Sequence, residues 1–471
     1  MKYVTQNRRP RPWLAGALGL LTLVTAGERA LAQPTTRDAS DSDDAQPGLA
    51  TYEQQALAQN LTLRVREVGQ KQRAAERSAA KSGYFPTVDL GARYTHFLFG
   101  GLDLGAFINP AYGALNQVLG EERFPTDLTV RLPLAFEAKV ELRQPLYVPA
   151  IGVAARLASL GYQAGEVELE LARREVVAGV RAAYLHHARA AQVGALLRGT
   201  RALLEENLRV SRQLVSASKQ TSDVVFRATA ELAAHDQLIL QVADAQRGAA
   251  RALNQLRGAG LEEDVEAPSA LAVPAEMPAS LESLLERARA ARTELRLLGV
   301  GRSVAQAERD LIKTGSLPTV AMAAEYGLQS GDLSPTLDDD YATISVVASW
   351  NLFSGLRDSR RRRAKDLELS AVEVRRRQLL DQIELEVRNA YGSAEVARTA
   401  VAAAAERVKS AQSVYDIVEK KYSVGALPQI ELIAARTTLL QARTDEITAS
   451  TDFHLRLVEL ERVTEFKGTL R

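Results

Sequence analysis

Two periodicities divide this chain. Four segments alternate apolar and polar side chains with a period of two, the signature of a strand with one apolar face. Val88, Leu90, Ala92 and Tyr94 lie opposite Thr87, Asp89, Gly91, Arg93 and Thr95. Phe136, Ala138, Val140 and Leu142 lie opposite Glu137, Lys139, Glu141 and Arg143. Val320, Met322, Ala324 and Tyr326 oppose Thr319, Ala321, Ala323 and Glu325, and Ile344, Val346, Ala348, Trp350 and Leu352 oppose Thr343, Ser345, Ser349 and Asn351. The second periodicity is helical. No proline interrupts Ile151 to Leu214 or Leu356 to Tyr422, where Ala, Leu, Val, Glu and Arg dominate. Each stretch predicts one helix of roughly 100 Å at 1.5 Å per residue. Helices of that length must lie side by side, as a bundle or coiled coil. The alanines of 394–411 allow close approach of backbones.

Each long helix ends in a short break and a further helix. Tyr422-Ser423-Val424-Gly425-Ala426-Leu427-Pro428 offers a left-handed glycine cap and a proline at the next helix start. Ser216 to Asp223 forms the other break, with Asp223 as the N-cap candidate. Both read as tips of helical hairpins. The order also repeats. Val180-Arg181-Ala182-Ala183-Tyr184 returns as Val387-Arg388-Asn389-Ala390-Tyr391, a shift of about 207 residues. Tyr84-Phe85-Pro86-Thr87-Val88 answers Ser316-Leu317-Pro318-Thr319-Val320, and Ala228 and Leu232 answer Ala435 and Leu439. Residues 49–278 form a first repeat and 279–471 a second, each running helix, strand pair, helical hairpin. The first strand pair holds about 26 more residues between its landmarks than the second. This extra segment includes Phe97, Phe99, Phe107, Tyr112 and Phe124 and is placed as an outer loop over or beside a pore.

Composition narrows the setting. Arg8, Arg9 and Arg11 precede an apolar stretch from Trp13 to Ala26, and Ala30-Leu31-Ala32 offers a small-x-small cleavage site, so 1–32 reads as a secretory signal. Residues 33–48 are acidic without large apolar side chains and read as a disordered lead-in. Beyond the signal no apolar run of about 18 residues occurs, which leaves a soluble protein or a membrane β-barrel. Zero cysteines rules out disulfides and thiol chemistry, and a net charge of +1 without a basic domain argues against nucleic acid. Four strands cannot close a barrel, since the smallest have about eight, so closure needs several copies of the chain.

With these pieces in order, the chain resembles the TolC-like outer membrane efflux protein family over essentially all of its mature length. The carriers are the Pro-Thr-Val strand starts at 86–88 and 318–320, Trp350-Asn351-Leu352-Phe353-Ser354-Gly355 before a helix, Val387 to Tyr391, and Tyr422-Ser423-Val424-Gly425 followed by Leu432, Ala435 and Leu439. The resemblance implies an α+β membrane protein with internal duplication. It would be a homotrimer forming an outer-membrane β-barrel, four strands from each chain, continued by a long periplasmic α-helical barrel. It implies a passive outer-membrane channel of a tripartite efflux or type I secretion system. Its partners would be a periplasmic adaptor (membrane fusion) protein, an inner-membrane pump and outer-membrane lipid, with no cofactor and no enzymatic activity. The alternative is a soluble periplasmic coiled-coil scaffold with a small sheet.

Candidate residues follow from both sources. Charges on a lipid-facing strand would cost a few kcal/mol each at mid-membrane. Asp89, Arg93, Glu137, Lys139, Glu141 and Arg143 are therefore expected to face a lumen, or else to form a ladder that pairs the strands. The resemblance implies a periplasmic gate at Asp223, Tyr422 and Glu431. A second acid, one turn past Glu431, is Ala434 here, and a basic residue after the tip glycine is Leu427. Adaptor docking is implied at the tip residues Lys219, Val424 and Gly425. Arg360 to Arg363 with Lys365 either meet anionic groups near the barrel rim or form a solvated helix start. His186 and His187 point about 100° apart on a helix, against a shared metal. His96, His235 and His454 are isolated and read as structural or solvated.

Overall fold

A computed structural model describes residues 48–465, apart from 97, 100, 101, 130, 133, 268–272, 274, 275, 332–335, 337 and 338. The signal 1–32, nearly all of the lead-in 33–48, Phe97 and the last six residues lie outside the described residues.

The first repeat begins with helices α1 (Leu49–Gln59) and α2 (Leu61–Ser82) and strand β1 (Thr87–Tyr94). A short ladder of β2 (Leu102–Asp103) and β3 (Arg131–Leu132) encloses helix α3 (Gly105–Leu119). Strand β4 (Phe136–Tyr147) leads into the 68-residue α4 (Pro149–Ser216), which turns back as α5 (Asp223–Arg257). The second repeat runs α6 (Leu281–Ala291), α7 (Thr293–Thr314), β5 (Thr319–Ser330), β6 (Asp340–Ser349), the 67-residue α8 (Arg357–Ser423) and α9 (Gln429–Thr464). At 1.5 Å per residue α4 and α8 each extend about 100 Å. The expected fourth strand stops at Ser349, so Trp350 and Leu352 lie past its end.

All four alternating segments join one antiparallel sheet in the order β1-β4-β5-β6. Its register keeps the faces apart: Asp89 stands opposite Glu141, which stands opposite Glu325, while Leu90 stands opposite Val140 and Val140 opposite Tyr326. The outer edges of β1 and β6 pair with no described strand. No helix packs extensively on either face. The apolar face is bare, with Leu90 80% and Ile344 79% exposed.

The enlarged first hairpin is built around α3, which occupies its centre. Two asparagines seven residues apart clamp the returning chain. Asn109 Nδ2 donates to Leu128 O at 2.8 Å and its Oδ1 accepts from Leu128 N at 2.9 Å. Asn116 does the same for Phe124 at 2.7 and 2.9 Å. Gly105 is required here, because a Cβ would sit 1.8 Å from Leu128 O.

Two equivalent cores hold the helices. In the first repeat Tyr52 and Ala56 of α1 meet Val176, Val180 and Ala183 of α4 and Leu253 of α5. In the second, Leu284 and Ala288 of α6 meet Ile383, Val387 and Ala390 of α8 and Leu460 of α9. Burying such a side chain contributes about 1.5–3 kcal/mol. The repeats join where α4 meets α7 and α9. Arg296 Nη1 donates to Glu170 at 2.7 Å, Arg156 pairs with Asp310 at 3.6 Å, and Arg181 bridges Glu53 at 2.6 Å and Glu461.

The wall built this way is unfinished on both flanks. Helix α7 lies against both α4 and α8, whereas its counterpart α2 lies against α4 and not against a second long helix. Leu61 of α2 is 74% exposed, but its counterpart Thr293 of α7 is fully covered. Val374 of α8 is 63% exposed, and its counterpart Val167 of α4, the same residue type, is 5% exposed. Val65, Val68, Leu367, Leu385 and Val396 extend the two bare stripes.

Candidate functional site

The polar face of the sheet gathers every charge expected there. Arg93 Nη2 donates to Glu137 at 2.7 Å, Lys139 Nζ to Glu325 at 3.0 Å, and Arg143 Nη2 to Glu141 at 2.6 Å. Asp89, Glu141 and Glu325 form an acidic row across three strands, since each is the register partner of the next. Glu325 was not among the expected site residues, although its place on the polar side of the alternation was the available signal. On the central strands Glu137, Glu141 and Glu325 are partly covered, their side chains 17%, 20% and 25% exposed, whereas Asp89 on the edge strand β1 is exposed. The Arg93–Glu137 and Lys139–Glu325 ion pairs join neighbouring strands on one face, as a ladder that pairs the strands would.

At the other end of the long helices the two tips share one backbone solution. Ala426 N donates to Lys421 O and Gly425 N to Tyr422 O, each at 2.9 Å, with Gly425 at φ +75°. Lys219 N donates to Leu214 O and Ser218 N to Val215 O, each also at 2.9 Å, with Ser218 at φ +55°. These are Schellman caps, which turn the chain by placing one residue in the left-handed region. Glycine does this freely; Ser218 does it at a cost of about 1–2 kcal/mol. Val424 projects from the second tip, 79% exposed, and Lys219 is exposed on the first.

Asp223 is the first residue of α5, not its N-cap; Ser222 holds the cap position without a side-chain bond. The Asp223 carboxylate accepts from the Thr221 hydroxyl and pairs with Arg227 at 3.2 Å, and these partners hold it below the usual carboxylate range. Tyr422 is half-buried and Glu431 exposed, and no hydrogen bond joins Asp223, Tyr422 and Glu431 within the described chain. Other residues lock the hairpins together. Gln429 Nε2 donates to the Ser211 hydroxyl at 3.1 Å, with both residues buried. Arg436 Nη1 donates to Glu231 at 3.3 Å, their side chains 8% and 18% exposed. Burial pushes the Glu231 carboxyl up from its ordinary value, and Arg436 only partly opposes that. Sequence reasoning missed all four; the sole hint was that Glu231 and Arg436 flank the repeated apolar positions Leu232 and Ala435.

Two histidines are buried against backbone carbonyls. His187 is buried with its ring nitrogens 3.3 and 2.9 Å from Gln246 O and Val265 O, and His235 Nε2 lies 2.8 Å from Leu197 O. His186, its neighbour, is on the exposed side. Among the described residues no group of three or more His, Cys, Asp or Glu could hold a metal, and no helix is long and apolar enough to cross a membrane.

Residues 284–464 match the family described as outer membrane efflux protein. No curated protein sequence matches the chain. Among solved structures, the outer-membrane channel OprN aligns with a TM-score of 0.70 at 18% identity, covering 89% of this chain and 90% of that one. The outer membrane protein VceC of Vibrio cholerae aligns at 0.69 and 15% identity, over 88% and 95%. The CmeC outer membrane channel of Campylobacter jejuni aligns at 0.69 and 16% identity, over 88% and 85%. At these identities the likeness establishes the fold, and it spans both repeats.

Proposed function

We propose that the chain is the outer-membrane conduit of a tripartite efflux or type I secretion system, since residues 284–464 match the outer membrane efflux protein family and 89% of the chain aligns with the fold of an outer-membrane channel. One observation carries the reading: a sheet whose apolar face no helix covers, whose charges gather on the other face, and whose two edges pair with no described strand. In water that face would cost about 25 cal/mol per Å² of apolar surface, and the edges would invite aggregation. In a bilayer both problems vanish if the edges of neighbouring copies pair.

Four strands from each of three copies make a barrel of twelve, within the known range. Below it, the bare flank of α8 would meet α2 and α5 of the next copy, as the corresponding flank of α4 meets α7 and α9 within the chain. Asp89, Arg93, Glu137, Lys139, Glu141, Arg143 and Glu325 would line the lumen and set its field. The tips, with Asp223, Tyr422 and Glu431, would form the periplasmic aperture. Lys219, Val424 and Gly425 would present the docking surface to a periplasmic adaptor, and through it to an inner-membrane pump.

The test is threefold. The expressed chain should fractionate with the outer membrane, run as a heat-modifiable oligomer, and conduct ions in planar bilayers. Recovery only in the soluble periplasm would overturn the reading in favour of a coiled-coil scaffold.

A further inference from the structure

The start of α8 is electrostatically unfavourable as it stands. A helix N-terminus carries roughly half a positive charge, so cations there destabilise the helix, and like charges three or four residues apart repel. Yet Arg357 and Arg360 to Arg363 fall in its first two turns. Arg357 is paired with Asp358 at 3.4 Å and Lys365 with Glu308 and Glu368. Arg360, Arg361 and Arg363 are exposed and form no ion pair with a described carboxylate. Asp358 feels the field of Arg361, but its carboxylate is engaged by the Ser354 hydroxyl at 2.8 Å.

The fold does not require these charges. The equivalent start of α4 carries Val153, Ala154 and Ala155 in place of Arg360 to Arg362, and it forms an equally long helix. Arg156, the counterpart of Arg363, pairs with Asp310 of α7. On α2, the counterpart of Asp310 is Ser78, so the acid that pairs with Arg156 has no equivalent at that position.

The location says which anion is available. Between the strand ends and the helix ends lie exposed apolar and aromatic side chains: Phe85 (67%), Tyr147 (50%), Trp350 (61%), Leu352 (77%) and Phe353 (77%). Such a girdle marks the level at which hydrocarbon gives way to head groups. Arg360 to Arg363 begin about 6 Å beyond Leu356 along the helix and end about 10 Å beyond it, at the depth of phospholipid phosphates.

We propose that Arg360, Arg361 and Arg363 form a binding site for the head groups of anionic phospholipids in the periplasmic leaflet. The site rests on the membrane-barrel reading above. It belongs to one repeat, so each copy carries one such patch. The arginines gain the anionic partner that the chain withholds, and the barrel gains an anchor fixing its depth.

The test uses the full-length oligomer and two variants, R360Q/R361Q/R363Q and R360K/R361K/R363K. Each is reconstituted in nanodiscs of mixed phosphatidylglycerol and phosphatidylcholine, and lipid retained on the oligomer is counted by native mass spectrometry. Wild type and the lysine variant should retain phosphatidylglycerol about five- to tenfold over phosphatidylcholine, and added salt should erode the preference. The glutamine variant should show none. The proposal falls if wild type shows no preference, if the glutamine variant keeps it, or if inorganic phosphate displaces the lipid at matched ionic strength, which would mark a free-phosphate site. Should the glutamine variant not assemble, wild type and its salt dependence still decide. Heat-modifiable oligomer is scored separately: its absence refutes the channel reading, while an inserted oligomer without lipid preference refutes this inference alone.

Discussion

Replacing Arg436 by Met should loosen the hairpin pair far more than replacing both Arg436 and Glu231. Arg436 is 8% exposed and pairs with the Glu231 carboxylate at 3.3 Å, Glu231 itself being 18% exposed. Removing one partner of a buried pair typically costs 3–5 kcal/mol, because the other charge is left buried and alone. The contact is single and Glu231 retains some access to water, so the cost falls at or just below the bottom of that range, about 2–3 kcal/mol. At 1.4 kcal/mol per factor of ten, local opening should increase roughly 30- to 150-fold. The readout is amide exchange by mass spectrometry over the start of α9, in the assembled protein. In E231Q/R436M no charge is stranded, and exchange should return most of the way to wild type.

The pH dependence has a definite sign. Burial raises the folded-state value of Glu231 above the ordinary 4.5. The folded hairpins therefore bind this proton more tightly than the opened ones. Its stabilisation is fully present below the ordinary carboxylate value and is lost as pH rises through the raised one. Acid should slow exchange at this locus in wild type, over a wider pH window in R436M, and not at all through this group in E231Q. Equal exchange in R436M and the double variant would refute the coupling, and with it the assignment of Glu231–Arg436 as the lock between hairpins.

Three further outcomes are expected. Ser218→Gly should relieve the left-handed strain and, after the added freedom of the unfolded chain, stabilise the first tip by about 0.5–1 kcal/mol; tryptic nicking at Lys219 should slow two- to fivefold, and faster nicking would contradict the cap geometry. Val374→Asp should abolish heat-modifiable oligomer while α8 remains helical, because the carboxylate would be buried against a neighbour at a cost of several kcal/mol; normal assembly would show that this flank stays in water. Glu137→Lys with Glu141→Lys should shift conductance toward anions, and unchanged reversal potentials would place these side chains away from the lumen.

How much of this could be read from the residues depended on the distance over which the deciding physics acts. The strands were legible because the two faces of a sheet impose opposite demands on successive side chains, so Glu137 to Arg143 alternate with apolar residues in plain view. The long helices were legible because no proline interrupts them, and the second tip because Gly425 is the residue that a left-handed cap favours. The first tip hid the same cap under Ser218. Helix α3 was hidden too, for Pro110 lies inside it and it carries no charge to mark an outer face. The hairpin lock was beyond reach for another reason: Glu231–Arg436 and Ser211–Gln429 join residues 205 and 218 positions apart. The resemblance pointed to Asp223, Tyr422 and Glu431, among which no hydrogen bond forms within the described chain.

The duplication shows why contacts can outlast the residues that make them. At the joint between α1 and α2, Asn60 Nδ2 donates to Leu256 O at 2.7 Å; at the joint between α6 and α7, Arg292 Nη1 donates to Val463 O at 2.8 Å. The acceptors are equivalent and the donors are chemically unrelated. Both joint residues have nearly the same backbone angles, φ −58° and ψ 123° against φ −53° and ψ 123°. The geometry calls for a buried donor at that point, and either side chain supplies it. Arg292 goes further, binding Glu294 at 2.8 Å and Glu386 at 3.0 Å, and so ties α7 to α8. Asn60 is too short for that second task, and in its repeat no long helix stands on that side of α2 to be tied. The same asymmetry leaves Leu61, Val65 and Val68 bare. A helix edge facing water ordinarily carries polar residues at such places; α2 carries an apolar stripe there instead.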